Sequence, residues 1–440
     1  MTMGDSASRT RQRLENPHGE IPRGEGLKLI KATRLIDGLG GPPLERGAIL
    51  IDGDTIKDVG SEESVVPPEG AQVEEFNYEN KTLLPGLIDC HVHMVGIGDG
   101  RPGDELTLLP DEVLTLQAAR NARAHLYSGV TTLRDCGAKN RTTFMLRQAM
   151  EMGITVGPRL ILSGRPVAII GGHLSYFGIQ ATGPDECRAA VRQLVKEGAD
   201  FIKITATGGS TRTSFSEFPS FTVPELKAIC EEIHKFGKHS VAHCHASQGM
   251  LNCLDAGIDT IVHGRHTEPD GSRVYREDVT ERLVEQGVFI NSNMHGARIK
   301  IKRFEDKLAT EGLSVEEQKD LDAALREREI TLDHYDRMRS AGVRMVAGSD
   351  SAWGWHTMGS FYDEVDAQVA AGMTPMEAII SGTSDSAKSC HIDDQTGTLE
   401  EGKQADLLVV DGDPSQNIMA LKNVADVFLN GILVDRGNLV

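Results

Sequence analysis

The sequence predicts an α/β fold: a (β/α)8 TIM barrel with a discontinuous small β-sandwich domain drawn from both chain ends. Three observations support this. From Gly86 onward, short apolar strands alternate with helical stretches eight times, the texture of a parallel sheet built from βα units. Between Leu27 and Leu84, and again after Thr396, short strands are instead punctuated by Gly, Pro and Asp. Finally, histidines, a lysine and an aspartate stand at the ends of several of the eight apolar runs, the rim where barrels of this kind carry their sites.

Taken in order, residues 1–26 are polar, rich in Arg, Glu and Gly, and lack the apolar core of a secretory signal, so they read as a flexible arm. Strands are expected at 28–32, 47–52, 55–59 and 71–78. The barrel strands should follow at 86–90, 131–134, 159–162, 201–205, 240–243, 260–262, 288–291 and 343–347. Capping boxes mark three helix starts, Thr222 with Glu225, Ser314 with Glu317 and Thr374 with Glu377. The second opens a charged helix, 314–340, longer than a barrel needs, which would serve as a lid or a subunit contact. Strands at 406–410 and 425–429 return to the first texture, so the small domain is expected to comprise 27–83 and 393–440, with the barrel at 84–392.

Composition narrows the function. The 440 residues include 65 acidic and 46 basic, a net charge of -19 that repels nucleic acid and anionic membranes and points to a small-molecule substrate. Hydrophobic content is 39%, with no run near the ~18 apolar residues a membrane helix requires. Seven cysteines are scattered singly without a CxxC pair, as expected of reduced thiols in a cytoplasmic protein.

The chemistry starts at Leu84-Pro85-Gly86-Leu87-Ile88-Asp89-Cys90-His91-Val92-His93. Residues i and i+2 of a strand share a face, so His91 and His93 can present two imidazoles to one metal ion. In Phe201-Ile202-Lys203-Ile204-Thr205, Lys203 points into the barrel if the isoleucines face the helices, and an interior ammonium is costly unless paired or neutralised. An ion pair, a neutral amine or a carbamylated lysine would each satisfy that requirement. His243 and His245 end the fifth strand, His263 the sixth, and Asp350 follows the apolar eighth. Either His243 or His245 could be a ligand on position alone.

Together the PGLIDCHVH run, FIKI, VAHCHA, IVHG, the GSD end and Gly397-Thr-Leu-Glu-Glu-Gly402-Lys-Gln-Ala-Asp406-Leu make the chain resemble the amidohydrolase superfamily from Leu27 to Val440. It looks most like the branch related to imidazolonepropionase, which includes binuclear Xaa-Pro and Xaa-Arg dipeptidases, ochratoxin-hydrolysing amidases, and phenylurea and molinate hydrolases. The resemblance implies two divalent metal ions, with zinc the first choice for such ligands. His91, His93 and Asp350 would hold one, His243 and His263 the other, with His245 behind them. A carbamylated Lys203 and a hydroxide would bridge the pair. That hydroxide would attack a C–N bond of an amide, urea or carbamate while Asp350 moves the proton to the leaving nitrogen.

For the substrate, His173 in a Gly-Gly-His segment, Tyr176, His295, Arg298 and His356 are candidate pocket residues, and Trp353 and Trp355 would suit an aryl group. An aryl amide, urea or carbamate is ranked ahead of a dipeptide or N-acyl amino acid. Mononuclear deamination is disfavoured, because those relatives use a Glu where this chain has Ala246 and they lack the lysine. Homo-oligomers are common in the superfamily. The remaining histidines, His125 among them, are assigned no chemistry.

Overall fold

The computed structural model describes residues 23–437. The amino-terminal strands are β1 (Leu27–Leu35), β2 (Leu44–Asp52), β3 (Thr55–Ser61) and β4 (Val73–Pro85). Next come β5 (Leu87–Val92), β6 (Val130–Asp135), β7 (Arg159–Leu162), the two-residue β8 (Val167–Ala168) and β9 (Ile179–Gln180), and β10 (Ile202–Thr205). β11 (Ser240–Ala246), β12 (Thr260–Thr267), β13 (Phe289–Asn291) and β14 (Arg344–Val346) complete the central part. β15 (Leu407–Asp411), β16 (Val424–Leu429) and β17 (Ile432–Leu433) close the chain.

All eight barrel strands fall where the sequence places them. β5-β6-β7 pair in parallel, as do β10 through β14, and β8 pairs with β10. Backbone bonds close the two seams of the ring: Asp200 N donates to Leu162 O at one, and Asp350 N to His91 O (2.7 Å) at the other. The floor of the barrel is a packed core of Ile88, Phe201, Val241, Val262, Phe289 and Val346, plugged from below by Ala387, Cys390 and Ile392. One charged side chain enters that floor, Arg134, which lies over Phe201 and donates to Cys90 O and Ser389 O; the candidate site residues lie at the opposite mouth, at the carboxyl ends of the strands. β11 and β12 run further than expected, so their histidines lie within strands rather than beyond them.

The three capping boxes are all formed. The helix opened by Ser314, Val315–Ser340, follows another, His295–Thr310, and the two share a small core of Ile301, Leu321 and Ala324. This hairpin stands over the barrel mouth. Among the described residues, no helix is long and apolar enough to cross a membrane, and all seven cysteines are buried free thiols.

The two β-rich ends meet in one seven-stranded sheet, ordered β17-β16-β15-β4-β1-β2-β3. Its period-2 pattern buries both faces of the middle strands. In β15, Leu407 and Val409 join the internal core of the small domain, whereas Leu408 and Val410 join the barrel core. The sheet curls back on itself: Ile56 N donates to Lys403 O and Ala405 N to Asp54 O, so β3 lies against the approach to β15. β4 continues to Pro85, two residues past the expected boundary. Of the amino-terminal arm, residues 1–22 lie outside the described residues; Arg23 pairs with Asp54 and Gly24 N donates to Asn430 O.

One ion pair ties the two domains. Arg159, opening β7, places Nη2 2.9 Å from Asp406 Oδ2, and Asp406 also accepts from Asn430 N. The Asp406 side chain is fully buried. Asp406→Ala leaves the guanidinium short of its charge partner, and a cost of about 3 kcal/mol is expected. Thermal denaturation should register this as a melting point several degrees lower; an unchanged midpoint would show that the pair contributes nothing net.

Candidate metal centre

At the mouth, β5 turns His91 and His93 inward to face Asp350, which leaves the segment after β14. Asp350 Oδ1 lies 3.5 Å from His91 Nε2 and 3.4 Å from His93 Nε2. Beside them, His243 and His245 of β11 and His263 of β12 form a second group; within each group the potential ligand atoms lie within 4.8 Å of one another. Lys203 of β10 reaches toward the first group, with Nζ 3.3 Å from His91 Nε2. It is fully buried and forms no ion pair among the described residues.

Neighbouring groups set the rings. His93 Nδ1 sits 3.0 Å from Gly137 O and so donates to it, leaving the Nε2 lone pair for Asp350's side. His91 Nδ1 lies 3.2 Å from Asn291 Oδ1 and 3.3 Å from Asn293 Nδ2. His243 Nε2 donates to Gly208 O at 3.0 Å, which leaves its Nδ1 free. His263 Nδ1 is buried with no hydrogen-bond partner among the described residues. Behind the ligand groups, Asp89 accepts from His91 N (3.1 Å), Ser349 N (3.0 Å) and His125 Nε2 (3.0 Å), locking β5 to the segment that carries Asp350. Gly348 is needed there, since a Cβ would stand 2.4 Å from Asn291 Nδ2. The Tyr335 hydroxyl, from the long helix, meets the carbonyls of His263 and Ser292.

Three of these positions carry left-handed backbone, His263 at φ 72°, Asp350 at φ 59° and Asn293 at φ 51°. Such strain in non-glycine residues clusters where side chains must be aimed rather than merely packed.

Burial holds His91, His243, His245 and His263 well below the ordinary imidazole range and puts His93 and His173 at about 3. All six are therefore neutral at pH 7, the form that binds metal. Burial also lowers Lys203, against the pull of Cys136 and Asp350, and raises Asp350 to about 7, against the pull of Lys203 and Arg265. Neutral imidazoles, a carboxylate, an orphaned His263 Nδ1 and an uncompensated buried amine form a donor set that suits divalent cations.

The expected pocket residues divide. His173 is buried with its ring 4.3 Å from that of His243, held by Thr211 Oγ1 at 3.1 Å. His295 and His356 stack edge-on at 4.6 Å, and His356 lines a cavity of about 790 Å³ shared with Asp350, His263, Trp353 and Trp355. Tyr176 lines a smaller outer recess together with Trp353. Neither Arg298 nor His295 stands on the wall of that cavity, and Asp366 holds the Arg298 guanidinium at 2.6 Å. His245, expected behind the ligands, lies in the three-histidine group itself. Two contributors escaped the sequence reading. Asp89 was visible as a carboxylate inside an apolar strand, and Arg265, on the cavity wall, was visible only as a charge two residues after His263.

A rim of histidines and one aspartate on a (β/α)8 barrel, with a sheet from both chain ends, is the layout of a barrel hydrolase. The family model described as "Amidohydrolase family" matches residues 82–434, and the chain belongs to that family. Among curated proteins it is 29% identical to ochratoxinase of Aspergillus niger over 441 residues, covering 92% of this chain and 86% of the relative. The imidazolonepropionase of Mesorhizobium japonicum is 24% identical over 409 residues, covering 88% and 92% of the two chains. Among solved structures, a Xaa-Pro dipeptidase with methionine bound in its active site superposes with a TM-score of 0.80 at 28% identity, covering 93% of this chain and all of the other.

Proposed function

We propose that this protein is a two-metal hydrolase of C–N bonds in a small, aryl-bearing amide, urea or carbamate. The observation that carries the reading is two adjoining ligand groups, His91/His93/Asp350 and His243/His263, with a buried Lys203 against His91 of the first and no ion-pair partner for it among the described residues. His245 completes the second group from the side. A neutral Lys203 amine adding to CO2 loses one proton and becomes a carbamate, the anion that this position calls for.

Two bound divalent ions, zinc by preference, would polarise the scissile carbonyl and bring the acidity of water toward neutrality. The chain supplies the rest. His93 and His91 keep Nε2 toward the reacting face through their Nδ1 contacts. Asp350 Oδ1 receives a proton from the attacking water and delivers it to the leaving nitrogen. Trp353, 5.1 Å from the His93 ring, offers an aryl group a flat wall beside the reacting bond. The hairpin over the mouth limits the substrate to small molecules.

A second reading, an N-acyl amino acid amidase or Xaa-Pro-type dipeptidase, is favoured by relatives named ochratoxinase and Xaa-Pro dipeptidase, the latter with an amino acid in its active site. Elemental analysis of purified protein tests the shared core of both readings: two equivalents of divalent metal per chain are expected. Chelation should abolish hydrolysis of an anilide and N-acyl amino acid panel, and zinc, manganese or cobalt should restore it. Full activity in metal-stripped protein would sink the proposal.

A further inference from the structure

Helix Asp111–Tyr127 packs on the barrel through Leu114, Ala118, Ala122 and Leu126, yet Gln117, Asn121 and His125 run beside them as a polar stripe with four-residue spacing. Asn121 Nδ2 donates to Met94 O (2.8 Å) and Gly96 O (2.7 Å), just past His93, and Asn121 Oδ1 accepts from Gln117 Nε2 at 3.2 Å. His125 is fully buried and spends both ring nitrogens on other segments. Gly359 N donates to Nδ1 at 2.8 Å, so the ring hydrogen sits on Nε2, which donates to Asp89 Oδ2 at 3.0 Å. The same carboxylate accepts from Ser349 N (3.0 Å) and Ser349 Oγ (2.5 Å). One imidazole therefore joins both ends of the segment 349–359, the first through Asp89 and the last directly. Between those ends lie Asp350, Trp353, Trp355 and His356, all on the cavity wall, where His125 itself does not stand. The segment also interlocks with the one Asn121 holds: Gly100 N donates to Gly354 O at 2.7 Å, and a Cβ on Gly96 would stand 2.3 Å from Ala352 O.

We infer that His125 is a positioning residue: by clamping the segment 349–359 at both ends, it fixes Asp350 against His91 and His93 and Trp353 against the His93 ring. Its effect on turnover rests on the hydrolase reading above; its effect on the segment does not. The two ends depend on it unequally. Asp89 keeps its bonds to Ser349 and to His91 N without the imidazole, so the near end stays anchored. At the far end, Nδ1 is the acceptor for Gly359 N, and a buried N–H left without one is costly enough to move the backbone. A misplacement of about 1 Å in a group that moves a proton is worth about 100-fold in rate.

The chain has two tryptophans, and both lie in this segment, so time-resolved tryptophan anisotropy of the protein as purified reports on it alone. Three variants divide the imidazole's bonds. His125→Asn keeps an acceptor at the place of Nδ1, His125→Gln keeps a donor that reaches Asp89, and His125→Phe keeps a ring with neither. Wild type and His125→Asn should show whole-molecule tumbling only, whereas His125→Gln and His125→Phe should add a nanosecond component. On an anilide panel kcat should fall by about 10- to 100-fold in His125→Gln and His125→Phe, and by less in His125→Asn. A merely space-filling histidine would lower the melting point in every variant and leave the tryptophans as still as in wild type. That result, or a segment as loose in His125→Asn as in His125→Gln, overturns the assignment; if His125→Phe does not fold, the contrast between the Asn and Gln variants decides alone. Nanosecond motion in His125→Gln, with no hydrolysis by wild type, would leave the clamp standing and overturn the hydrolase reading instead.

Discussion

Lys203→Ala is expected to lose bound metal and turnover together, with activity falling by about 10³-fold or more. The side chain is fully buried, 3.3 Å from His91 Nε2, beside the first of two adjoining groups that hold neutral imidazoles. Removing it leaves a hole shaped for a short anion, so acetate or propionate should restore part of both metal content and rate. Stability separates this role from a structural one. An unpaired amine in a barrel costs folding free energy, and Lys203→Met, apolar and of similar length, should leave the metal-free protein as stable or more stable by about 1 kcal/mol. A structural lysine would show the reverse, a lower melting point in both variants. A metal-replete, active Lys203→Ala protein would remove the bridge from the mechanism.

Asp350→Asn is the second large effect, a loss of about 10²- to 10⁴-fold in kcat with the fold retained. Asparagine suits the test for a conformational reason. Asp350 occupies left-handed backbone at φ 59°, which Asn adopts with little penalty. The substitution keeps the shape and removes the charge and the proton-accepting oxygen. Circular dichroism and melting should match wild type while single-turnover hydrolysis slows. Near-normal turnover in Asp350→Asn would assign the proton transfer to another group, with His356, which lines the same cavity, the first candidate.

What the sequence disclosed, and what it withheld, follows from how local each signal is. The HxH of β5 and the strand-end positions of Lys203, His243, His263 and Asp350 are legible because strand periodicity and barrel topology fix where they point. Capping boxes are legible because both partners lie within four residues of each other. Arg298 misled because its partner Asp366 comes from a helix 68 residues away in sequence. Arg265 was missed for the complementary reason: what marks it is the lack of a partner, which only the packed structure reveals. Likewise the two groups were already distinguished by the resemblance, but the place of His245 beside His243 and His263 emerged only from the packed strands. The small domain was foreseen from texture alone, but its curl into one continuous sheet depends on backbone bonds between segments far apart in the chain, such as Ala405 to Asp54.

That sheet imposes an order of assembly. β4 pairs with β1 on one edge and with β15 on the other, and β15 is synthesised only after the whole barrel. A chain emerging from the ribosome therefore carries β4 with one edge open through the making of roughly 300 residues, a stretch of time in which an unpaired strand invites misassociation. The barrel meanwhile must fold with Leu84 and the apolar side of β5's base uncovered until Leu408 and Val410 arrive. Nascent chains stalled near residue 392 should thus depend on chaperones far more than chains released past β16.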